Sequence, residues 1–230
     1  MTATVEDEQP GAAAGPGGHG QEHGRGDPRA GYDVGRLLAF SDGVFAIAIT
    51  LLVLGIPLPI LANHGQLPGQ LWHLKPNLIG FAVSFVLVGT QWIAHHRLLR
   101  QLDFANVTIL WINLLLLMGI CLVPFATSVL VQYGDVPTGA ITYAALQAGI
   151  GVVFVAYRLY LVHCGIDVRH TLVLSWVPVL AFLVSIPVAF WSVNAAYAVW
   201  IVGFSTSRLR QSGLIPKVLG RLRRWTRSRS

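Results

Sequence analysis

Four polar side chains near the start of the sequence stand beside or within an apolar stretch. Arg36, Ser41 and Asp42 precede residues 43–56, which carry no charge, and Thr50 lies inside that run. Polar groups inside a membrane helix are costly and are functional candidates by default. Asp42 is the most informative of the four, because a carboxylate beside a long apolar run needs partners. The pattern predicts a polar network at one end of a membrane helix.

The composition indicates that this stretch belongs to a membrane protein. Of 230 residues, 54% are hydrophobic and 11% are charged, whereas soluble domains carry roughly a quarter charged residues. The charges are also segregated, and only Asp103 and Asp135 fall between Gln101 and Arg158. Such a chain lacks residues for the polar shell of a soluble domain. We therefore predict an all-α integral membrane protein.

Six stretches are long and apolar enough to cross a membrane, which takes about 20 residues per helix. Pro57 and Pro59 are expected to stop the first, Pro124 to kink or end the third, and the boundary between the last two is placed near Pro187. The predicted spans are 37–57, 76–95, 107–131, 138–160, 171–188 and 190–207. Residues 32–208 thus form a six-helix membrane domain. We expect residues 1–31 to be a disordered Gly/Ala/Pro-rich tail and residues 209–230 a basic tail.

Positive charge falls on alternate connections of this six-span arrangement. Lys and Arg occur before the first span, between spans two and three, between spans four and five, and after the sixth, while the opposite loops carry only Lys75 and Asp135. Positive connections stay in the cytoplasm. The distribution predicts a multi-pass protein of the cell membrane with both termini cytoplasmic. The net charge of +6 is then explained by contact with anionic lipid, not with nucleic acid.

The first span presents different residues on different sides. At about 100° per residue, Asp42 lies about 140° from Ile47, and Arg36 lies about 120° from Asp42, so these two cannot pair simply within one helix. Partners must come from other spans, and the second span ends with candidates at the expected depth of Asp42. Those candidates are Trp92, His95 and His96. One stripe of the first span is formed by Phe40, Gly43, Ile47, Thr50 and Leu54.

These residues carry a resemblance to a known family. Segment 36–52, RLLAFSDGVFAIAITLL, resembles the opening helix of the transmembrane protein 175 family of potassium channels. Segment 84–96, from Ser-Phe to Trp-x-x-His-His, looks like the second helix of that family, and Asn113 with residues 123–125 looks like its third. The resemblance covers most of residues 36–130 and weakens afterwards.

The resemblance implies a six-helix chain that assembles as a homotetramer, with the first helix of each subunit lining a central pore. It places a hydrophobic constriction at Ile47, the pore threonine at Thr50 and a further apolar layer at Leu54. The signature residues Phe40, Ser41 and Asp42 would hold the helices together with Arg36 and a histidine. Permeant K⁺ and the lipid bilayer are then the partners, with no cofactor and no other metal.

A pore of this kind would select ions without a carbonyl-lined filter, since no TVGYG-like run occurs in the sequence. Pore width, the Thr50 hydroxyls and the cost of dehydrating an ion at an apolar neck would supply selectivity. Potassium sheds water more easily than sodium. The sequence alone leaves lipid contact or ordinary packing open for the stripe, because almost every residue of the first span is apolar.

Two other functions remain open from the residues. Asp42 with His95 or His96 would suit a proton-coupled secondary transporter, although no inverted repeat supports it. A haem protein would need histidines that face each other, and these two are adjacent. No nucleophile-and-base motif occurs, so an enzyme is not expected.

Overall fold

The computed structural model describes residues 31–58, 67–166 and 168–211, and this part of the chain is almost entirely helical. Its seven α-helices and one 3₁₀-helix are joined by short connections, and one isolated antiparallel bridge pairs Tyr32 with Ala105. The predicted tails lie mostly outside these residues. The helices are α1 (Val34–Leu51), a 3₁₀-helix (Leu52–Gly55), α2 (Leu67–His73), α3 (Lys75–Leu99), α4 (Val107–Tyr133), α5 (Pro137–His163), α6 (Arg169–Trp191) and α7 (Val193–Gln211).

Four helical segments are long and apolar enough to cross a membrane. They are Val34–Gly55, Lys75–Leu99, Val107–Tyr133 and Pro137–His163, and they coincide with the first four predicted spans. Within α6 and α7 the apolar segments are shorter, Ser175–Trp191 and Val193–Gly203. The all-helical membrane architecture is therefore confirmed.

The first span ends in a tighter helix than predicted. Asp33 begins α1 by accepting a hydrogen bond from the Gly35 amide on its Oδ1 at 2.7 Å, which satisfies one of the free amides of the first turn. The α-helix ends at Leu51 and continues as the 3₁₀-helix, and Ile56 is extended with φ −90° and ψ 111°. Extended geometry at Ile56 follows from Pro57, because a proline ring disfavours the helical conformation of the residue before it.

Prolines interrupt the helices less than the sequence suggested. Pro124 lies inside α4, and both Pro178 and Pro187 lie inside α6. The boundary between α6 and α7 falls at Ser192 and not near Pro187. Ser192 is extended, its amide donates to the Val188 carbonyl at 2.9 Å, and its hydroxyl accepts from the Ala195 amide at 3.4 Å. One serine thus ends α6 and caps α7, which is a stronger boundary signal than a proline.

The core that positions α1 is shared by four helices. Phe45 and Ala48 of α1, together with Leu52, pack with Val88 of α3 and with residues of α4 and α5. Helices α4 and α5 approach closely, because a Cβ added at Gly119 would lie 2.8 Å from the Ile150 side chain. Helix α1 therefore packs against α3 and α4, and α5 packs against α4.

Candidate functional site

Helix α1 has a packed face and an exposed stripe on nearly opposite sides. Ser41, Phe45 and Ala48 are buried, and these positions follow the spacing of one helix face. Ile47 is 60% exposed, and Leu54, in the 3₁₀-helix that continues α1, is 75% exposed. The structure also leaves Phe40, Gly43 and Thr50 exposed, so the five residues of the predicted stripe all lie away from the core of the subunit.

A buried hydrogen-bond network ties the packed face of α1 to its neighbours. The Asn113 amide of α4 donates to the Ser41 hydroxyl at 3.1 Å, and its Oδ1 lies 2.7 Å from Nε2 of His95 on α3. Ser41 also donates to the Leu37 carbonyl at 2.8 Å. Ser41, Asn113 and His95 are all fully buried. One asparagine therefore links α1, α3 and α4 at the same depth.

A second contact joins α1 to α3 beside this network. The Trp92 indole Nε1 donates to Oδ1 of Asp42 at 2.7 Å. The His96 ring lies against Trp92, with ring centroids 5.6 Å apart. A hydrogen bond to a carboxylate is roughly twice as strong as one between neutral groups. Asp42 thus has a neutral, rigid donor that fixes the rotation of α1 against α3.

The structure brings together most of the residues predicted for the network but connects them differently. The donor to Asp42 is Trp92, whereas His95 bonds to Asn113 and packs on the Phe45 ring at 5.4 Å. Arg36 is exposed, and none of the hydrogen bonds of the described residues comes from its side chain. Two adjacent histidines point about 100° apart on a helix, which is why only one of them reaches the α4 asparagine.

A further buried network, made of three hydroxyl groups, lies nearer the other end of α3 and was missed by the sequence reasoning, which favoured interhelical hydrogen bonding only for amide side chains such as Gln91 and Gln147. The Thr127 hydroxyl of α4 donates to the Ser84 hydroxyl of α3 at 2.9 Å, and Ser84 lies 3.1 Å from the hydroxyl of Tyr143 on α5. Further along α3, the Gln91 amide donates to Gln147 of α5 at 2.9 Å. Isolated polar residues inside apolar spans were the available signal, because such groups usually bond between helices.

These contacts hold one face of α1 in place and leave the other face exposed. Side chains of α1 that face the core are held by packing and by hydrogen bonds, while the opposite stripe carries apolar groups and one hydroxyl. Thr50 donates to the Ile47 carbonyl at 2.8 Å, so its oxygen lone pairs remain free to face outward. The arrangement can hold an apolar stripe with one hydroxyl oxygen in a fixed orientation.

Comparison with known proteins points to one family. The family model described as "Endosomal/lysosomal potassium channel TMEM175" matches residues 36–124. A potassium channel of Streptomyces collinus is 34% identical over 139 residues, which is 57% of this chain and 66% of that protein. A potassium channel of Chamaesiphon minutus is 40% identical over 128 residues, covering 53% of this chain and 63% of the relative.

More distant relatives are named for a different ion. The human endosomal/lysosomal proton channel TMEM175 is 29% identical over 132 residues, 56% of this chain and 26% of the human protein. The chain therefore spans less than two thirds of the length of these curated relatives.

Solved structures share the fold over most of the chain. The crystal structure of a lysosomal potassium-selective channel TMEM175 homologue from Chamaesiphon minutus matches with a TM-score of 0.68 and 31% identity, over 77% of this chain and 97% of that one. A variant of the potassium channel MtTMEM175, crystallised with a nanobody fusion protein, matches at 17% identity with a TM-score of 0.58, which bears on the fold alone. With a matching family model, bacterial relatives and a solved homologue covered almost completely, this chain belongs to the TMEM175 family.

Proposed function

We propose that this chain is the pore-forming subunit of a potassium-permeable cation channel. In this proposal four copies assemble around a central axis, and α1 of each copy lines the pore. Each subunit crosses the cell membrane six times with both termini in the cytoplasm, α6 and α7 supplying the last two crossings. The subunit is a conduit and not an enzyme, and it needs no cofactor beyond the permeant ion.

The observation that carries the proposal is the exposed stripe of α1. Ile47 and Leu54 are among the more exposed large side chains of a helix whose other face is packed. A single helix cannot enclose a pore, and the stripe occurs once per chain. Several copies around a symmetry axis would close it. The bacterial relatives named as potassium channels support this reading over simple lipid contact.

The rigidity of the packed face supports the same role. The Ser41–Asn113–His95 network and the Trp92–Asp42 hydrogen bond hold α1 against α3 and α4. A pore-lining helix that rotated by one residue would replace Ile47 with another side chain at the constriction, because neighbouring residues point about 100° apart. Fixing the rotation therefore fixes which residue meets the ion.

Selectivity in this proposal comes from partial dehydration. A ring of Ile47 side chains makes an apolar neck that an ion crosses with few water molecules, and a ring of Thr50 oxygens one turn away replaces part of the lost hydration. Potassium gives up water more readily than sodium, so the neck favours potassium. An apolar constriction of this type also closes by dewetting.

Reversal potentials test the proposal directly. Purified protein in a planar bilayer under a potassium/sodium gradient should give a current that reverses near the potassium equilibrium potential. Ile47→Asn should raise conductance and move the permeability ratio toward one, because a polar neck stays wet. Leu159→Asn is the matched control, since Leu159 of α5 is 50% exposed against 60% for Ile47, and it should leave both quantities unchanged.

The proposal fails if the wild-type protein carries no current, or if Ile47→Asn and Leu159→Asn have equal effects on the permeability ratio. In the second case the exposed stripe of α1 does not line the conduction path.

Proton conduction is the second candidate, because the vertebrate relatives are named proton channels. A pH gradient with symmetrical potassium separates the two functions. A reversal potential that follows the pH gradient favours protons, and flux that saturates and requires a proton gradient favours a proton-coupled transporter.

A further inference from the structure

A large cavity lies away from the stripe of α1, at the end of the bundle where α3 begins and α4 ends. Its volume is about 1010 Å³, and it is lined by residues of α3, α4, α5, α6 and α7. Binding cavities for drug-sized molecules measure about 300–1,000 Å³. None of the residues in the Ser41–Asn113–His95 network lines this cavity, and the pore proposal makes no use of it.

The cavity has one polar end and an apolar body. Lys75 at the start of α3, Gln132 in the last turn of α4 and Asp135 just after that helix all line it. Its deeper wall is formed by apolar and aromatic side chains such as Leu87 and Phe182. Lys75 and Asp135 are the two charged residues that the sequence leaves on the otherwise uncharged side of the membrane domain, and both line this one cavity.

Among the described residues, no salt bridge joins Lys75 to Asp135. The Lys75 ammonium instead lies over the Trp72 ring, 2.8 Å from the ring centroid. Trp72 is 66% exposed, and tryptophan is enriched where membrane proteins meet the lipid headgroups. A cation and an anion therefore line the same apolar cavity, and an exposed tryptophan lies against the cation.

The depth of the cavity matches half a bilayer. Its lining on α3 runs from Lys75 to Leu87, and these 12 helical steps correspond to about 18 Å at 1.5 Å per residue. One leaflet of the hydrocarbon core is about 15 Å thick. An extended acyl chain that enters at the polar end would therefore reach the aromatic floor at Phe182.

We propose that this cavity binds phosphatidylethanolamine from the adjoining leaflet. Its phosphate bonds to Lys75, its primary ammonium bonds to Asp135, and one acyl chain lies along α3 toward Leu87. Both polar contacts are charge-assisted hydrogen bonds, which are the strong class. A quaternary ammonium cannot donate such a bond to Asp135, and an anionic glycerol headgroup would place a hydroxyl where the cation belongs. The site therefore distinguishes phosphatidylethanolamine from both.

Native mass spectrometry of the purified full-length protein measures this preference. The protein is titrated with phosphatidylethanolamine, phosphatidylcholine or phosphatidylglycerol of identical acyl chains. Phosphatidylethanolamine should bind most tightly, and Lys75→Gln combined with Asp135→Asn should weaken it by about tenfold, as expected for loss of charge-assisted hydrogen bonds. Arg100→Gln combined with Asp103→Asn, which changes the same number of exposed charges at the other end of α3, should leave binding unchanged.

A second variant tests the apolar body separately from the mouth. Val83 lines the cavity and is 55% exposed, so Val83→Phe should fill space and lower the binding of all three lipids while the elution volume of the protein stays constant. Equal binding of the three lipids, or unchanged phosphatidylethanolamine binding in the Lys75/Asp135 double variant, would overturn the proposal.

The rival occupant is a second copy of the chain. Val83→Cys that forms a disulfide between two copies in vesicles would show that protein covers the cavity and would overturn lipid binding there. Failure of the lipid site would leave the reversal-potential test of the pore untouched, because the two readouts involve different faces of the bundle.

Discussion

The two faces of α1 are similarly apolar but differ in burial. Phe45 and Ala48 on one face are 1% and 2% exposed, whereas Ile47 and Leu54 on the other are 60% and 75% exposed. Hydropathy cannot separate them, since all four side chains suit lipid, protein or a dry pore. What separates them is the buried hydrogen bond of Ser41, which must point toward its partners. In a membrane helix the sparse polar residues, more than the apolar ones, mark the packed side.

Truncating one side chain on each face of α1 should give the largest difference in stability. Phe45→Ala removes a ring that packs on His95 and sits in the shared core, and we expect a loss of about 2 kcal/mol of stability, mostly from the cavity because lipid is as apolar as the core. Ile47→Ala should leave the stability of the subunit unchanged. Thermal unfolding in detergent, followed by size-exclusion chromatography, measures both. Equal destabilisation would mean that the exposed stripe is packed after all.

Removing the central asparagine should have the next largest effect. Asn113→Leu leaves the Ser41 hydroxyl and the His95 ring without their shared partner in a buried place, at a cost of about 1–2 kcal/mol. Asn194→Leu on the exposed side of α7 is the control and should be neutral. The same thermal measurement decides, and an Asn113→Leu variant as stable as the control would show that the network contributes nothing to packing.

Loss of the tryptophan donor should have the smallest effect on stability of the three changes. Trp92→Phe keeps an aromatic ring but removes the hydrogen bond to Asp42, so we expect a loss of about 0.6–1 kcal/mol. Trp111→Phe is the control, because Trp111 is 67% exposed. If α1 rotates once this bond is lost, current through Trp92→Phe channels should also show a broader spread of conductance levels than wild type, and an unaltered distribution would argue against Asp42 as a rotational anchor.

The sequence identified the residues of the network better than their connections. Asp42, Trp92, His95 and Asn113 were all singled out, because polar groups in apolar spans are few. Which histidine turns toward α4 depends on the rotation of α3 against α4, and no pattern within one helix records that angle. Ser84, Thr127 and Tyr143 escaped because hydroxyl groups cost less to bury than charges and draw less notice.

Helix ends show the same division between local and tertiary information. Extended Ile56 before Pro57 follows from local sterics. Helix α6 passes through Pro187 and ends at Ser192, whose hydroxyl accepts from the Ala195 amide at the start of α7. Helix α2 has seven residues, far fewer than the about 20 needed to cross a bilayer, so a search for spans had no means of finding it.

The bridge between Tyr32 and Ala105 limits how α1 can move relative to α3 and α4. The Tyr32 amide donates to the Ala105 carbonyl at 2.7 Å, and the Ala105 amide donates to the Tyr32 carbonyl at 3.0 Å. These two hydrogen bonds join the residue two positions before α1 to the link between α3 and α4. Rotating α1 about its own axis would break these two hydrogen bonds, whereas tilting α1, α3 and α4 together would preserve them. In the proposed channel, a motion that widens the pore would therefore move α1, α3 and α4 together, because the bridge couples α1 to the link between α3 and α4.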